Sequence, residues 1–168
     1  MMILMAGLPG TGKSTLARAL AERTGGCVLG KDEIRAALFA AQDIEYSATQ
    51  DDFCMEIMLQ AARYVLRKGP HRRVFFDGRT FSRRYQVERV LEVATELGQR
   101  WTILECVCSE DSARRRLSAD AAHVARNRDF SLYQDVKAHF EPIGQRKTIL
   151  DTDQPLSVCI DLALAELA

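Results

Sequence analysis

Gly7-Leu8-Pro9-Gly10-Thr11-Gly12-Lys13-Ser14 decides the fold. The stretch fits GxxxxGK followed by Ser or Thr at every position, and its setting matters as much as its letters. The apolar run Met2–Ala6 leads straight into Gly7, and after Ser14 the residues Leu16, Ala17, Leu20 and Ala21 recur on one helical face. A strand that enters a glycine turn and leaves it as a helix makes a phosphate cradle. Glycines let backbone N–H groups point into the turn, and the helix N-terminus adds its partial positive charge. The pattern assigns Gly7, Gly10, Thr11, Gly12 and Lys13 to the phosphates of ATP. Lys13 reaches the β- and γ-phosphates and Ser14 ligates Mg²⁺. Thr15 supports the turn or touches the α-phosphate.

Outward from this motif the chain alternates short apolar runs with helical periods. Strands are expected at Met2–Ala6, Cys27–Gly30, Arg73–Asp77, Trp101–Val107 and, more weakly, Thr148–Leu150. Helices are expected from Ser14 to about Arg23, from Asp32 to about Ala41, over Thr49–Arg67 and Ser82–Leu97, after the capping Ser109, and from about Pro155. In the Thr49–Arg67 helix, Phe53, Ile57, Ala61, Tyr64 and Val65 form the apolar stripe. Gln42–Ser47 reads as a loop, and Asp120–Asp135 is polar without a clear period. The expectation is an α/β fold: one domain over residues 1–168, with a five-stranded parallel sheet sandwiched by helices and a helical lid over about 114–135. Such sheets bind ligands beyond the carboxyl ends of their strands. Gly7, Lys31-Asp32 and Asp77-Gly78 all stand at those ends.

These ends carry the remaining candidates. Val74-Phe75-Phe76-Asp77 is an apolar strand closing on an acid, which suits either a magnesium site or a turn cap. Asp32 and Arg35 are three apart and share a face on a first helical turn. There Asp32 accepts a proton and Arg35 holds a substrate phosphate or transition-state charge, or the two are a capping acid and a surface arginine. Arg79, Arg83 and Arg84 lie on the ligand edge and suit an anionic substrate, with a solvated surface as the alternative. Of the arginines around the irregular stretch, Arg126 and Arg128 are the candidates for a closing lid, whereas most of Arg114–Arg116 point to solvent.

Composition narrows the class. Lys+Arg and Asp+Glu are both 23, so bulk attraction to nucleic acid or anionic membrane is not expected. No apolar stretch approaches the roughly 20 residues of a membrane span. Met1–Ala6 lacks the charged start of a signal peptide and reads as a strand. Cys27, Cys54, Cys106, Cys108 and Cys159 contain no CxxC pair and read as reduced thiols of a cytoplasmic protein. The histidines are not spaced as a metal site. The apolar last helix suits a core or a subunit interface equally.

The segments GLPGTGKSTLARALAERTG, GKDEIR, VFFDGRTFSR, ARNR and the late ILDTD together resemble the small P-loop kinases. That group includes adenylyl-sulfate kinases, polynucleotide 5′-hydroxyl kinases and many uncharacterised bacterial kinases. The resemblance implies a five-stranded parallel sheet with a helical lid, bound ATP and Mg²⁺. It implies Asp32 as general base, Arg35 as a phosphate-contacting arginine, Arg126 (less directly Arg128) as lid arginine, and Asp77 as the acid after the third strand. Two features depart from the adenylyl-sulfate kinases: Gly30-Lys31 replaces their Gly-Asp pair, and their Phe-Ser and Asp-Arg pattern is missing around Tyr46-Ser47. The expected activity is transfer of the γ-phosphate of ATP to a hydroxyl of a small or nucleotide-like acceptor. A nucleic-acid 5′ end is the alternative acceptor, kept open by Arg79, Arg83 and Arg84. A nucleotide-dependent switch or partner-binding ATPase is the alternative class. A GTPase is disfavoured, since the base-reading Asn-Lys-x-Asp is missing.

Overall fold

A computed structural model of the chain describes residues 1–119 and 129–168. Strands β1 (Met2–Ala6), β2 (Cys27–Gly30), β3 (Val74–Asp77), β4 (Trp101–Val107) and β5 (Thr148–Asp151) form one sheet in the order β2-β3-β1-β4-β5. Every pairing is parallel, with Met2 opposite Val74 on one side and Trp101 on the other. The helices are α1 (Lys13–Thr24), α2 (Lys31–Leu38), α3 (Ala48–Lys68), α4 (Arg84–Glu96), α5 (Glu110–Ala119), α6 (Phe130–Ala138) and α7 (Leu156–Leu167). The five-stranded parallel α/β sandwich expected from the sequence is therefore the observed fold.

The central strand shows why its sequence is continuously apolar. All of β1 is inaccessible to solvent because helices cover both faces. Met2, Leu4 and Ala6 pack with Val74, Phe76 and Ile103 beneath α3 and α4. Ile3 and Met5 pack with Phe75, Leu104, Cys106 and Leu150 beneath α1 and α7. The chain leaves β1 for β2 on one side, returns to β3, and then crosses to β4 on the other. The strand order thus reverses between β1 and β3. Such a reversal opens a crevice beyond the strand ends, and the loops after β1 and β3 line it.

Two expectations need correction. The buried face of α3 is Cys54, Met55, Met58, Leu59, Ala62 and Leu66, while Phe53 and Tyr64 are 51% and 62% exposed. Apolar residues occupy more than one face of this helix, and the larger aromatic ones are not those facing the sheet. Phe53 instead meets Phe39 edge to face at 5.9 Å. The second correction is α6, which occupies part of the stretch that lacks a clear period. Asp129 caps it by accepting the Leu132 N–H at 2.8 Å, and Phe130 and Tyr133 pack onto α5 beside Ala113 and Leu117. Its short amphipathic face was too brief to stand out.

Leu4→Ala removes a fully buried side chain from the middle of the sheet. It should cost about 2–5 kcal/mol of unfolding free energy, read as a lower urea midpoint with an unchanged slope.

Candidate active site

The first turn of the site is set by backbone geometry. Gly7 has φ +128°, and a Cβ there would stand 2.2 Å from the Cys106 carbonyl oxygen of β4. Only glycine lets the chain leave β1 along this path. The Gly7 N–H donates to the Thr80 carbonyl at 3.1 Å, tying the loop after β1 to the loop after β3. Lys13 and Thr11 are buried; the Lys13 ammonium and the Thr11 hydroxyl donate to the Leu8 carbonyl at 2.7 and 2.8 Å. Ser14 is half-buried and Thr15 exposed at the start of α1. Arg116 braces the loop from behind: its guanidinium donates to the Thr152 hydroxyl at 3.0 Å, the Thr152 carbonyl at 2.7 Å and the Gly10 carbonyl at 3.4 Å. The Thr152 hydroxyl lies 3.0 Å from the Thr11 carbonyl. The solvated role expected for most of Arg114–Arg116 holds for exposed Arg114 and Arg115.

Asp77 ends β3 with its side chain buried, and its Oδ1 has no hydrogen-bond partner among the described residues. Lys13 and Asp77 both act on the Cys106 thiol, which burial pushes up to about 12, with Lys13 opposing and Asp77 adding to the rise. Asp77 ends β3 and the loop bearing Lys13 follows β1, the strand paired in parallel beside it. A buried carboxylate oxygen without a donor costs free energy that a cation or its bound water relieves. A hydroxyl and a carboxylate are also the hard oxygen donors that Mg²⁺ takes together with substrate phosphates. Ser14 and Asp77 fit that ion.

A second cluster stands on the same sheet edge. Gly78, with φ +84°, lets the chain after β3 pass the start of α2: a Cβ there would lie 3.0 Å from the Lys31 backbone nitrogen. Asp32 and Arg35 share a face as expected, with Arg35 Nη1 donating to Asp32 Oδ1 at 2.7 Å. Arg35 is 2% exposed, and its Nη2 contacts the carboxylate of Asp51, delivered by the first turn of α3. Lys31 Nζ also donates to Asp51 at 2.7 Å and lies 3.6 Å from Asp32. Buried Arg79 pairs with Asp52 at 2.7 Å and lies 3.8 Å from Asp51. Tyr46, at φ +51°, sets its ring 5.0 Å from the Arg35 guanidinium. The Gln50 side chain donates to the Asp43 carbonyl at 2.8 Å and accepts the Glu45 N–H at 3.1 Å, which holds the 42–47 loop against α3.

Sequence reasoning missed Lys31, Asp51 and Asp52 as site residues, and Arg116 and Thr152 as braces. Asp51 and Asp52 follow the cap Ser47 closely, where acids serve the helix dipole and need no further explanation. The signal available was their pairing with two buried arginines, which only the fold provides. Arg83 stands apart from the cluster. It pairs with Glu141 at 3.2 Å at the start of α4, and the Arg84 N–H donates to the same carboxylate at 2.8 Å. Arg126 and Arg128 lie outside the described residues, as does much of the expected lid.

Residues 2–143 match a family model described as an AAA domain. No curated protein matches the chain in sequence. Solved structures share its fold across nearly the whole length. A candidate kinase from Chloroflexus aurantiacus J-10-fl superposes with TM-score 0.76 at 20% identity, covering 99% of this chain and 98% of its own. A gluconokinase from Sinorhizobium meliloti 1021 gives 0.69 at 22%, covering 99% and 90%. The Mycobacterium tuberculosis APS kinase in complex with AMPPNP and APS gives 0.70 at 16%, covering 99% and 95%. At these identities the likeness is one of fold.

Burial pushes the Lys31 ammonium down from 10.5 to about 8, with Arg35 and Arg79 adding to the fall and Asp32 opposing it. Between those two values the unfolded chain holds a proton that the folded chain has released, so this group's contribution to stability rises with pH there. Measured against Lys31→Gln, the wild-type melting temperature should gain as pH goes from about 7 to about 10. A constant gap between the two proteins across that window would contradict the burial argument.

Proposed function

The chain belongs to the AAA domain family, and on that premise we propose that it is an ATP-dependent kinase that moves the γ-phosphate of ATP to a hydroxyl group. The observation that carries this reading is the joining of two loops at the sheet reversal. The phosphate loop after β1 is bonded to the loop after β3 through Gly7 and Thr80, and the loop after β3 packs on the start of α2, where Asp32 sits. A switch needs no acid aimed at an acceptor; a transferase needs an oriented acid on the same edge. The kinases among the solved structures of this fold support the same reading.

In this mechanism the Gly7–Ser14 backbone and Lys13 hold the β- and γ-phosphates. Leaving the Leu8 carbonyl for a phosphate oxygen costs the Lys13 ammonium little, since one acceptor replaces another. Ser14 and Asp77 would hold Mg²⁺, which would supply positive charge to the phosphates. The acceptor oxygen attacks the γ-phosphorus, the bond to the β–γ bridging oxygen breaks, and ADP leaves. The acceptor proton passes to Asp32. Arg35 holds that carboxylate in place through its 2.7 Å bond, and Lys31 stands 3.6 Å from it. Arg79 anchors Asp51 and Asp52 behind them. Arg126 and Arg128, outside the described residues, carry the proposed roles of an arginine that offsets charge on the transferred group and of one that binds the nucleotide.

The test is transfer from γ-labelled ATP with Mg²⁺ to a panel of hydroxyl acceptors: sugars and polyols, nucleosides, adenylyl-sulfate and a 5′-hydroxyl oligonucleotide. Lys13→Ala serves as the blank. Label is expected on one acceptor class and lost in the blank. Asp32→Asn should lower transfer at least about a hundredfold while ATP affinity stays nearly unchanged. Label found only as free phosphate across the panel would contradict the kinase reading.

A further inference from the structure

Three buried cations meet on one carboxylate. Lys31, Arg35 and Arg79 are 7%, 2% and 3% exposed, and all three approach Asp51. Asp32 takes the second contact of Lys31 and Arg35, and Asp52 takes that of Arg79. Without Asp51, this convergence is what a phosphate, sulfate or carboxylate group of a ligand would seek. Here the protein's own carboxylate fills that position, and the charges close: Lys31, Arg35 and Arg79 against Asp32, Asp51 and Asp52.

We propose that Asp51 is a specificity-determining residue of the acceptor site: it occupies the anion position, so the site takes an uncharged hydroxyl compound such as a polyol or nucleoside and rejects acceptors bearing phosphate, sulfate or carboxylate. This rests on the reading of Asp32 as the acid that faces the acceptor. An anionic acceptor would have to displace Asp51 from three cations, stranding a carboxylate that is 23% exposed, or bring a fourth negative charge among three cations already matched. Either way it loses more than it gains.

The adjoining groove points the same way. A cavity of about 360 Å³ between α3 and α4 is lined by Asp52, Glu56, Glu88 and Glu92 against Arg79 and Arg89. Both arginines are already engaged: Arg89 donates to Glu56 at 2.6 and 2.8 Å and to Glu92 at 3.2 Å, and Arg79 to Asp52. The wall is therefore net negative and repels an anion. Two donors are left over inside the cluster, Arg35 Nε and Arg79 Nη1, both buried without a hydrogen-bond partner among the described residues. They need an oxygen lone pair but no added charge. A hydroxyl oxygen or a water supplies that.

The experiment uses sulfate as the anionic probe and the full chain saturated with ADP, so that the phosphate loop is occupied. Calorimetric titration of wild type should show no sulfate binding in the millimolar range. Asp51→Asn should bind sulfate at least about tenfold more tightly than wild type, and adding Arg35→Met should remove that binding. Sulfate binding to wild type that Arg35→Met abolishes would overturn the proposal, because Asp51 would then be a placeholder for an anionic acceptor. So would an Asp51→Asn protein that binds ADP normally and gains no sulfate affinity. If Asp51→Asn does not fold, the wild-type titration decides alone. The titrations need no phosphoryl transfer, so failure of the kinase reading shows itself separately, as a panel without a labelled acceptor.

Discussion

A Cβ at Gly7 would stand 2.2 Å from the Cys106 carbonyl oxygen, and the rest of the site depends on that lack of room. β1 is buried on both faces and paired on both edges, and at Gly7 its chain passes beside the Cys106 carbonyl of β4. Glycine at that point lets the backbone turn back over the strand ends and present its N–H groups in a loop. The same turn brings the Gly7 N–H onto the Thr80 carbonyl, which places the loop after β3 beside it. Arg116 and Thr152 then close the loop from the β4–β5 side. The phosphate loop is thus held by neighbours on both sides of the sheet reversal.

The second organising element is electrostatic. Charged side chains this well buried are tolerated when they are paired, and the Lys31–Asp32–Arg35–Asp51–Asp52–Arg79 cluster balances three charges of each sign while leaving Arg35 Nε and Arg79 Nη1 without a hydrogen bond among the described residues. It joins α2, the loop after β3 and α3 through side chains. Because Asp51 comes from α3, the placement of Asp32 depends on a helix far from it in the chain. The 42–47 loop, tied to Gln50 and to the Arg35 guanidinium through Tyr46, is part of the same unit.

The parts of this architecture that are local in sequence were legible in it. The glycine spacing, the apolar runs and the cap at Ser109 each act within a few residues, and the apolar runs place the strands within one or two positions. Asp32 and Arg35 were paired correctly because three residues on a helix is a local relation. The rest was hidden for definite reasons. The buried face of α3 was misread because that helix offers apolar residues on competing faces, and the choice between Phe53 and Met55 is made by the sheet. Asp51 looked like an ordinary first-turn acid until Lys31, Arg35 and Arg79 were brought to it from distant segments. Arg116 could not be told from its two solvated neighbours until the turn after β5 set Thr152 beside it.

In the proposed reaction the phosphate loop and the Asp32–Asp51 cluster act together across one crevice. A crystal structure of the chain with a non-hydrolysable ATP analogue and Mg²⁺ tests it most directly. The γ-phosphate should lie on Lys13, the metal should be held by Ser14 with Asp77 directly or through water, and the Asp32 carboxylate should face the γ-phosphorus across a gap wide enough for one hydroxyl group. An analogue whose phosphates lie outside the Gly7–Ser14 loop, or an Asp32 carboxylate separated from the γ-phosphate by other protein groups, would contradict it.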